Sequence, residues 1–253
     1  MKLAGILNVT PDSFFDGGRH LDPVEAGLRL IDEGADQVDV GGESTRPGSR
    51  SVSVEEELRR VVPAIRALAG RIPVSVDTQK PEVARVALAE GARIVNDVNG
   101  LRAPGMLEVV AEAGAGAVIM HMRGTPETMQ ADTHYDDVVV EVREFLNRRI
   151  AAARAAGIGT IWADVGIGFG KSPDQCAELL RRLPELKVEA PLYVGASRKS
   201  FIGHLTGAPV EDRLPGSLAA AAACYAAGVA VLRVHDVAGT RQFLDILEAT
   251  SAC

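Results

Sequence analysis

The sequence predicts a single (β/α)8 barrel over residues 1–253. Three observations predict it. Eight short apolar runs, rich in Val and Ile, alternate with eight amphipathic helical patterns from one end of the chain to the other. Hydrophobic residues make up 47% of the chain and aromatic residues only 4%. The core must therefore be built from Val, Ile, Leu and Ala, as in a parallel sheet covered by helices on both faces. No Pro/Ser/Gly-rich linker, charge run or low-complexity stretch divides the chain, so its 253 residues form one unit. A doubly wound open sheet is the alternative, but it needs a topological switch point and usually has fewer strand–helix units.

The strands are expected at 3–8, 36–41, 73–77, 93–97, 116–121, 160–165, 191–196 and 230–235. The helices are expected near 23–34, 54–69, 81–91, 105–114, 136–157, 174–183, 213–228 and 237–249. Asp22-Pro23 and Lys80-Pro81 place proline at a first helical turn, where its missing N–H costs nothing. Gly34, Gly91, Gly114, Gly157 and Gly228 follow helical patterns as C-terminal stops. The Ala-rich piece 217–228 reads as a helix packed closely on its neighbours. Two long loops interrupt the pattern. The first, GILNVTPDSFFDGG at 5–18, begins as a strand and turns polar at Asn8; Pro11, Asp12-Ser13 and Gly17-Gly18 then supply turn chemistry. It carries two adjacent aromatics, Phe14 and Phe15. The second runs from Gly42 through Glu43-Ser44-Thr45-Arg46-Pro47-Gly48 to Ser53.

The formal net charge of −7 argues against a general nucleic-acid or membrane-surface binder, so any anionic ligand must meet a local basic cluster. Three distant cysteines with no CxxC read as reduced thiols, which points to a cytoplasmic protein. The apolar start is too short for a signal peptide, and no run reaches the ~18 apolar residues of a membrane span. Several familiar motifs fail. In 166–172 (GIGFGKS) Val165 stands where a Walker A loop needs its first Gly, and the third Gly comes one residue early for GxGxxG. Ser197 lies in no GxSxG elbow, and His121 and His134 form no HExxH.

In a parallel barrel all strand C-termini open onto one face, so residues there converge from distant sequence positions. The expected strand ends are Asn8, Asp39 with Glu43, Asp77, Asn96-Asp97, His121, Asp164, the 197–200 run (SRKS), and Arg233 with His235. Asp77, Asn96, Asp164 and Lys199 form a donor–acceptor set suited to a planar heterocycle with an amidine-like edge. Arg233 and His235 alternate on the last strand and face the same way. With Asn8 across the barrel seam they make an anion site suited to phosphate or pyrophosphate with Mg²⁺.

The segments GILNVTPDSFFDGG, DVGGESTRPGS, VSVDT, IVNDV, MHMRGTPETMQ, DVGIGFGKS, VGASRKSFIG and RVHDV resemble, in order and spacing, the successive motifs of the dihydropteroate synthase family. The resemblance covers essentially the whole chain. It implies a (β/α)8 enzyme that joins 6-hydroxymethyl-7,8-dihydropterin pyrophosphate to p-aminobenzoate and releases pyrophosphate. Position by position it implies a pterin pocket of Asp77, Asn96, Asp164 and Lys199, with Phe169 and Met120 near the ring. It places Asn8, Arg233, His235, Thr45 and Arg46 around the pyrophosphate, with Asn8 the Mg²⁺ ligand. It places Ser200, Arg198, Phe14 and Pro47 around p-aminobenzoate. Asp77, Lys199, Arg46 and Asn8 are then the expected catalytic residues. A homodimer through helices near the C-terminal end is implied as well. Val165 departs from the family, many members of which carry Pro there. The alternatives are a pterin-dependent methyltransferase, which has no need of the SRKS run or the TRPG loop, and a non-catalytic pterin-binding paralogue.

Overall fold

The computed structural model describes residues 1–10, 22–46 and 48–251, with the backbone alone at 15–16 and 19–20. Eight parallel strands form the expected barrel: β1 (Lys2–Asn8), β4 (Gln37–Gly41), β5 (Val74–Asp77), β6 (Ile94–Asp97), β7 (Gly116–Met120), β8 (Ile161–Asp164), β9 (Tyr193–Val194) and β10 (Val231–Val234). Their order around the sheet is β8-β7-β6-β5-β4-β1-β10-β9. A parallel bridge between Ala163 and Leu192 joins the two ends, with the Ala163 N–H donating to Pro191 O at 3.0 Å. The strand expected at 191–196 is only two residues long. Pro191 at its start has no N–H for the ladder, which leaves the closure to one bridge.

The helices cover the outside: α1 (Pro23–Asp32), α2 (Val54–Leu68), α3 (Pro81–Ala89), α4 (Met106–Glu112), α5 (Val138–Ala155), α6 (Pro173–Arg181), α7 (Ser200–Thr206), α8 (Leu214–Ala226) and α9 (Val237–Ser251). Local chemistry sets their starts. The Asp22 carboxylate accepts from Val24 N ahead of Pro23, and Ser172 with Gln175 closes a capping box on α6. Gly91, expected as a helix stop, lies at φ 109. Three elements escaped the sequence reading. Within the expected first loop, β2 (Phe15–Asp16) pairs antiparallel with β3 (Arg19–His20). The seven-residue α7 follows the SRKS run and is too short to show a helical period.

Strand alternation sorts the side chains into two sets. Leu3, Leu7, Val38, Val40, Val76, Val95, Ala117, Ile119, Ala163, Leu232 and Val234 pack outward into the large cluster shared with the helices. Ala4, Ile94, Val118, Tyr193 and Val231, with Trp162 beside them, fill the barrel interior. Full burial of such side chains stabilises the fold by about 1.5–3 kcal/mol each. Above that apolar plug the inward positions become polar, and the site begins there.

Candidate active site

Register brings the first polar residues together. Asn8 pairs with Gly41, Gly41 with Asp77, and Asp77 with Asn96, so four adjacent strands present these positions side by side. Gly41 is the small member: a Cβ there would stand 3.5 Å from Asn8 Oδ1 and 3.7 Å from Asp77 Oδ2. The missing side chain leaves space between the amide and the carboxylate.

One layer below, Asp39 is fully buried and accepts from three groups. These are Arg233 Nε at 2.5 Å, Asn96 Nδ2 at 2.9 Å and the Ser75 hydroxyl. Arg233 Nη2 continues to Asp77 Oδ2 at 2.7 Å. Arg233 therefore joins the heterocycle group to the anion group. Its Nη1 has no partner among the described residues. Asp39 was legible as a polar strand residue but carried no expected role. The signal was its period-two position below Gly41, inside an otherwise apolar run.

Asp77 Oδ1 is buried and accepts no hydrogen bond among the described residues. A buried carboxylate oxygen without a donor is costly and leaves an acceptor open to an N–H. Burial pushes the Asp77 carboxyl up, against the opposing pull of Arg233. Asp164, 5% exposed, accepts the Gly166 N–H through Oδ1 at 2.8 Å, and burial pushes it up to about 6. Lys199 Nζ lies 4.2 Å from the Phe169 ring centroid, and desolvation lowers its ammonium to about 8. Met120 and Phe169 belong to one buried cluster with Val98, Met122 and Met129. The six residues expected around a flat ring thus line one side of the barrel mouth.

The remaining expected residues sit on the rim. His235 is solvent-exposed. Ser197 Oγ accepts its backbone N–H and contacts its Nδ1, each at 3.2 Å. Desolvation by neighbouring protein atoms, then the cations Arg233, Arg198 and Lys199, push it down to about 3. It is therefore neutral at pH 7. Asn8 is half-buried, and its side chain has no hydrogen bond among the described residues. Thr45 is half-buried and Arg46 exposed, with no carboxylate within 4 Å of the Arg46 guanidinium among the described residues. Arg198 takes φ 55, a conformation costly for a non-glycine residue, and its guanidinium binds Asp236 through Nε at 2.8 Å and through Nη2. Ser200 is exposed at the first position of α7, whose seven residues make a weak dipole. Phe14 and Pro47 lie outside the described residues.

Two expected strand-end residues point elsewhere. Asp97 faces the helix layer and holds a turn through Asn99 N at 2.7 Å and Leu101 N at 2.9 Å. His121 also faces outward, edge to face with Phe145 at 4.9 Å between ring centroids. A cavity of about 320 Å³ lined by Arg102, His121, Arg123, Glu141 and Phe145 lies on that outer side and contains none of the pocket groups. The one-residue shift of Asp97 past Asn96 is enough to reverse its face.

Glu43 has a structural use. Its Oε2 accepts from Val52 N at 2.7 Å, Ser51 Oγ at 2.8 Å and Lys80 Nζ at 2.6 Å, so it ties the two ends of the second loop to α3. Lys80 also bonds Glu57 Oε2 at 2.5 Å. Charge-assisted bonds of this kind contribute about 1.5–3 kcal/mol each. We expect Glu43→Gln to raise amide exchange at Val52 by about tenfold or more, read by hydrogen–deuterium exchange. Unchanged protection would remove Glu43 as the tie.

With the geometry in hand, comparisons with known proteins locate the chain. The family model described as pterin binding enzyme matches residues 4–235. A dihydropteroate synthase of Escherichia coli (strain K12) is 48% identical over 254 residues, covering 97% of this chain and 90% of that protein. A solved Xanthomonas albilineans dihydropteroate synthase with 4-aminobenzoic acid superposes with a TM-score of 0.93 at 49% identity, covering 100% of this chain and 93% of that one. Another from the same organism, in complex with 7,8-dihydropteroate, gives 0.89 at 46% identity over 100% of this chain and 94% of the other. The chain is a member of the dihydropteroate synthase family of pterin-binding enzymes, the transferases of folate biosynthesis.

Proposed function

We propose that the chain condenses 6-hydroxymethyl-7,8-dihydropterin pyrophosphate with p-aminobenzoate, giving 7,8-dihydropteroate and pyrophosphate by dissociative substitution. The observation that carries this reading is the unpartnered, buried Asp77 Oδ1, set beside Asn96, Asp164 and Lys199 at the strand ends. It supplies a buried acceptor for a ring N–H. The family relatives solved with 4-aminobenzoic acid and with 7,8-dihydropteroate support the same substrates.

In this reading the pterin lies against Phe169 and Met120, with its N–H groups on Asp77 and Asp164 and its acceptors on Asn96 and Lys199. The methylene C–O bond breaks and its electron pair leaves on the pyrophosphate. The electron-rich pterin carries the positive charge left on the methylene, and the carboxylates of Asp77 and Asp164 favour that charge in a partly dry site. Arg233 Nη1, His235, Thr45 and Arg46 receive the departing diphosphate. The aromatic amine is neutral at pH 7, so it attacks without prior deprotonation and releases its proton after the C–N bond forms. Ser200 and Arg198 hold the p-aminobenzoate carboxylate, together with Phe14 and Pro47 on the two loops. Closure of those loops excludes water, which otherwise traps the cation as the hydroxymethyl compound.

The residues fit a Mg²⁺ ion delivered with the diphosphate. Mg²⁺ is usually held by one or two protein oxygens plus phosphate oxygens and water. Asn8 Oδ1 is the oxygen without a partner here, and no cluster of three or more His, Cys, Asp or Glu suited to a metal occurs among the described residues. When bound, the ion neutralises negative charge on the leaving group.

Among the described residues no helix is long and apolar enough to cross a membrane. We propose a cytoplasmic homodimer, which light scattering tests directly. The activity itself is tested by pyrophosphate release that depends on both p-aminobenzoate and the pterin diphosphate. Pterin binding without turnover would favour a non-catalytic paralogue instead.

A pH profile follows from the pocket. A carboxylate accepts charge-assisted hydrogen bonds at both oxygens only when ionised, and burial lifts Asp164 to about 6 and Asp77 to about 7. Lys199 donates as an ammonium and is lowered to about 8. Affinity for a pterin lacking the diphosphate should therefore fall as pH drops through about 7 to 6 and as it rises above about 8. Lys199→Ala should abolish the alkaline limb. A flat profile from pH 5 to 9, on the order of the range these groups span, would contradict the charge assignment.

A further inference from the structure

Lys171 has no part in the scheme above, yet its side chain is 2% exposed. Its Nζ meets His121 Nδ1 at 2.9 Å, Gly166 O at 2.9 Å and Phe169 O at 3.0 Å, with His121 O further off at 3.4 Å. Burial lowers Lys171 to about 7; in its ammonium form it has three N–H donors, and three close acceptors use all of them. His121 Nδ1 is then the acceptor and Nε2 carries the ring proton. Burial holds His121 well below its usual range, which keeps it neutral and able to accept.

The acceptors come from two elements. His121 follows β7, whereas Gly166 and Phe169 bound the tight turn after β8. That turn lies directly on the end of β7: a Cβ on Gly166, which has φ 66, would stand 1.9 Å from His121 O. Phe169 N donates to Gly166 O at 3.0 Å across the turn, and Gly166 N donates to Asp164 Oδ1 at 2.8 Å. Gln130 and Tyr135 grip the outer carbonyls, Gly168 O at 3.1 Å and Gly170 O at 2.9 Å. Lys171 binds the carbonyls at both ends of the Gly166–Phe169 turn. Its opposite face presents Phe169 beneath Lys199 and fixes the donor on Asp164.

We propose that Lys171 is a positioning residue for pterin binding: its Nζ ties the end of β7 to the Gly166–Phe169 turn and so holds Phe169 and Asp164 at the pocket wall. The proposal rests on the pocket assignment of Phe169 and Asp164 given above. Replacing the ammonium leaves His121 Nδ1 and Phe169 O buried without a donor and Gly166 O with the Phe169 N–H alone, and the turn must relax to satisfy them.

The test is a double-mutant cycle on affinity for a pterin lacking the diphosphate, read by calorimetry. Lys171→Met and Phe169→Ala should each weaken binding about tenfold or more, and the double variant should bind no worse than about threefold below the weaker single variant. KM for p-aminobenzoate at saturating pterin diphosphate should stay within about twofold, a split that general loosening of the fold would not produce. Independent, multiplying losses, or equal losses for both substrates, would overturn the positioning role. If Phe169→Ala alone binds as the native chain does, the pocket assignment fails and the proposal with it. If Phe169→Ala binds weakly while Lys171→Met binds normally, only the positioning role fails. Should Lys171→Met not fold, a His121 pair decides. His121→Asn keeps an acceptor near the Nδ1 position and should bind within about threefold of native, whereas His121→Leu removes it and should lose about tenfold. Equal affinities for the two His121 variants would overturn the proposal.

Discussion

Arg233→Leu is expected to destabilise the protein by about 3–5 kcal/mol, the cost of leaving buried charge without its partner. One guanidinium, 18% exposed, serves two carboxylates, Asp39 at 0% and Asp77 at 7%. Among the described residues neither acid has a second cation in contact. For a chain of this length each kcal/mol moves Tm by about 2–4 °C, so the loss is plain in a thermal scan. Its pH dependence has a definite sign. Burial already raises Asp77 in the native chain, and removal of Arg233 raises it further. An acid whose folded pKa exceeds its unfolded value binds more protons folded than unfolded, so stability falls as pH rises through that window. The deficit of Arg233→Leu against the native chain should therefore narrow as pH falls from about 8 to about 5. A deficit that is small, or that widens in acid, would show that Arg233 does not neutralise this pair.

The second large effect is on turnover. Asp164→Asn and Lys199→Ala should each lower kcat/KM for the pterin diphosphate by on the order of 10² or more, because a site built for polar groups is left with one unpaired. That factor corresponds to about 2.7 kcal/mol of lost transition-state binding. Asp164 ends β8, Lys199 immediately precedes α7, and the two influence each other's charge. The two substitutions should consequently combine to less than the product of the single losses. Native-like kinetics in either variant would remove that residue from the pocket.

Much of this site was legible because barrel topology turns a sequence pattern into a place. Asn8, Asp77, Asn96 and Asp164 end buried strands, and strand C-termini share one face. Their side chains also fall on the inward parity, which is why they meet. Asp97 and His121 end strands too, but they sit one residue out of phase, and parity sends them to the helix layer. The role of Asp39 was hidden for the opposite reason: its partner Arg233 lies 194 residues away, and only barrel closure brings the two into contact. The double use of Arg233 was hidden with it, since an Arg-Val-His pattern reads as an anion site and reveals nothing of the acids beneath. β9 and α7 were hard to place because two paired residues and seven helical ones are shorter than the periods that betray them. Lys171 looked like the end of a failed phosphate loop; its buried Nζ and three acceptors are visible only once β7 and β8 are side by side.

The central claim is that the open acceptor on Asp77 waits for a ring nitrogen. A crystal structure of the chain soaked with the pterin diphosphate tests it most directly. The bicyclic ring should lie inside the barrel mouth, flat against Phe169, with a ring N–H or amino group within hydrogen-bond distance of Asp77 Oδ1. Ring density on the outer side, in the cavity beside His121 and Phe145, with Asp77 Oδ1 still unpartnered, would contradict it.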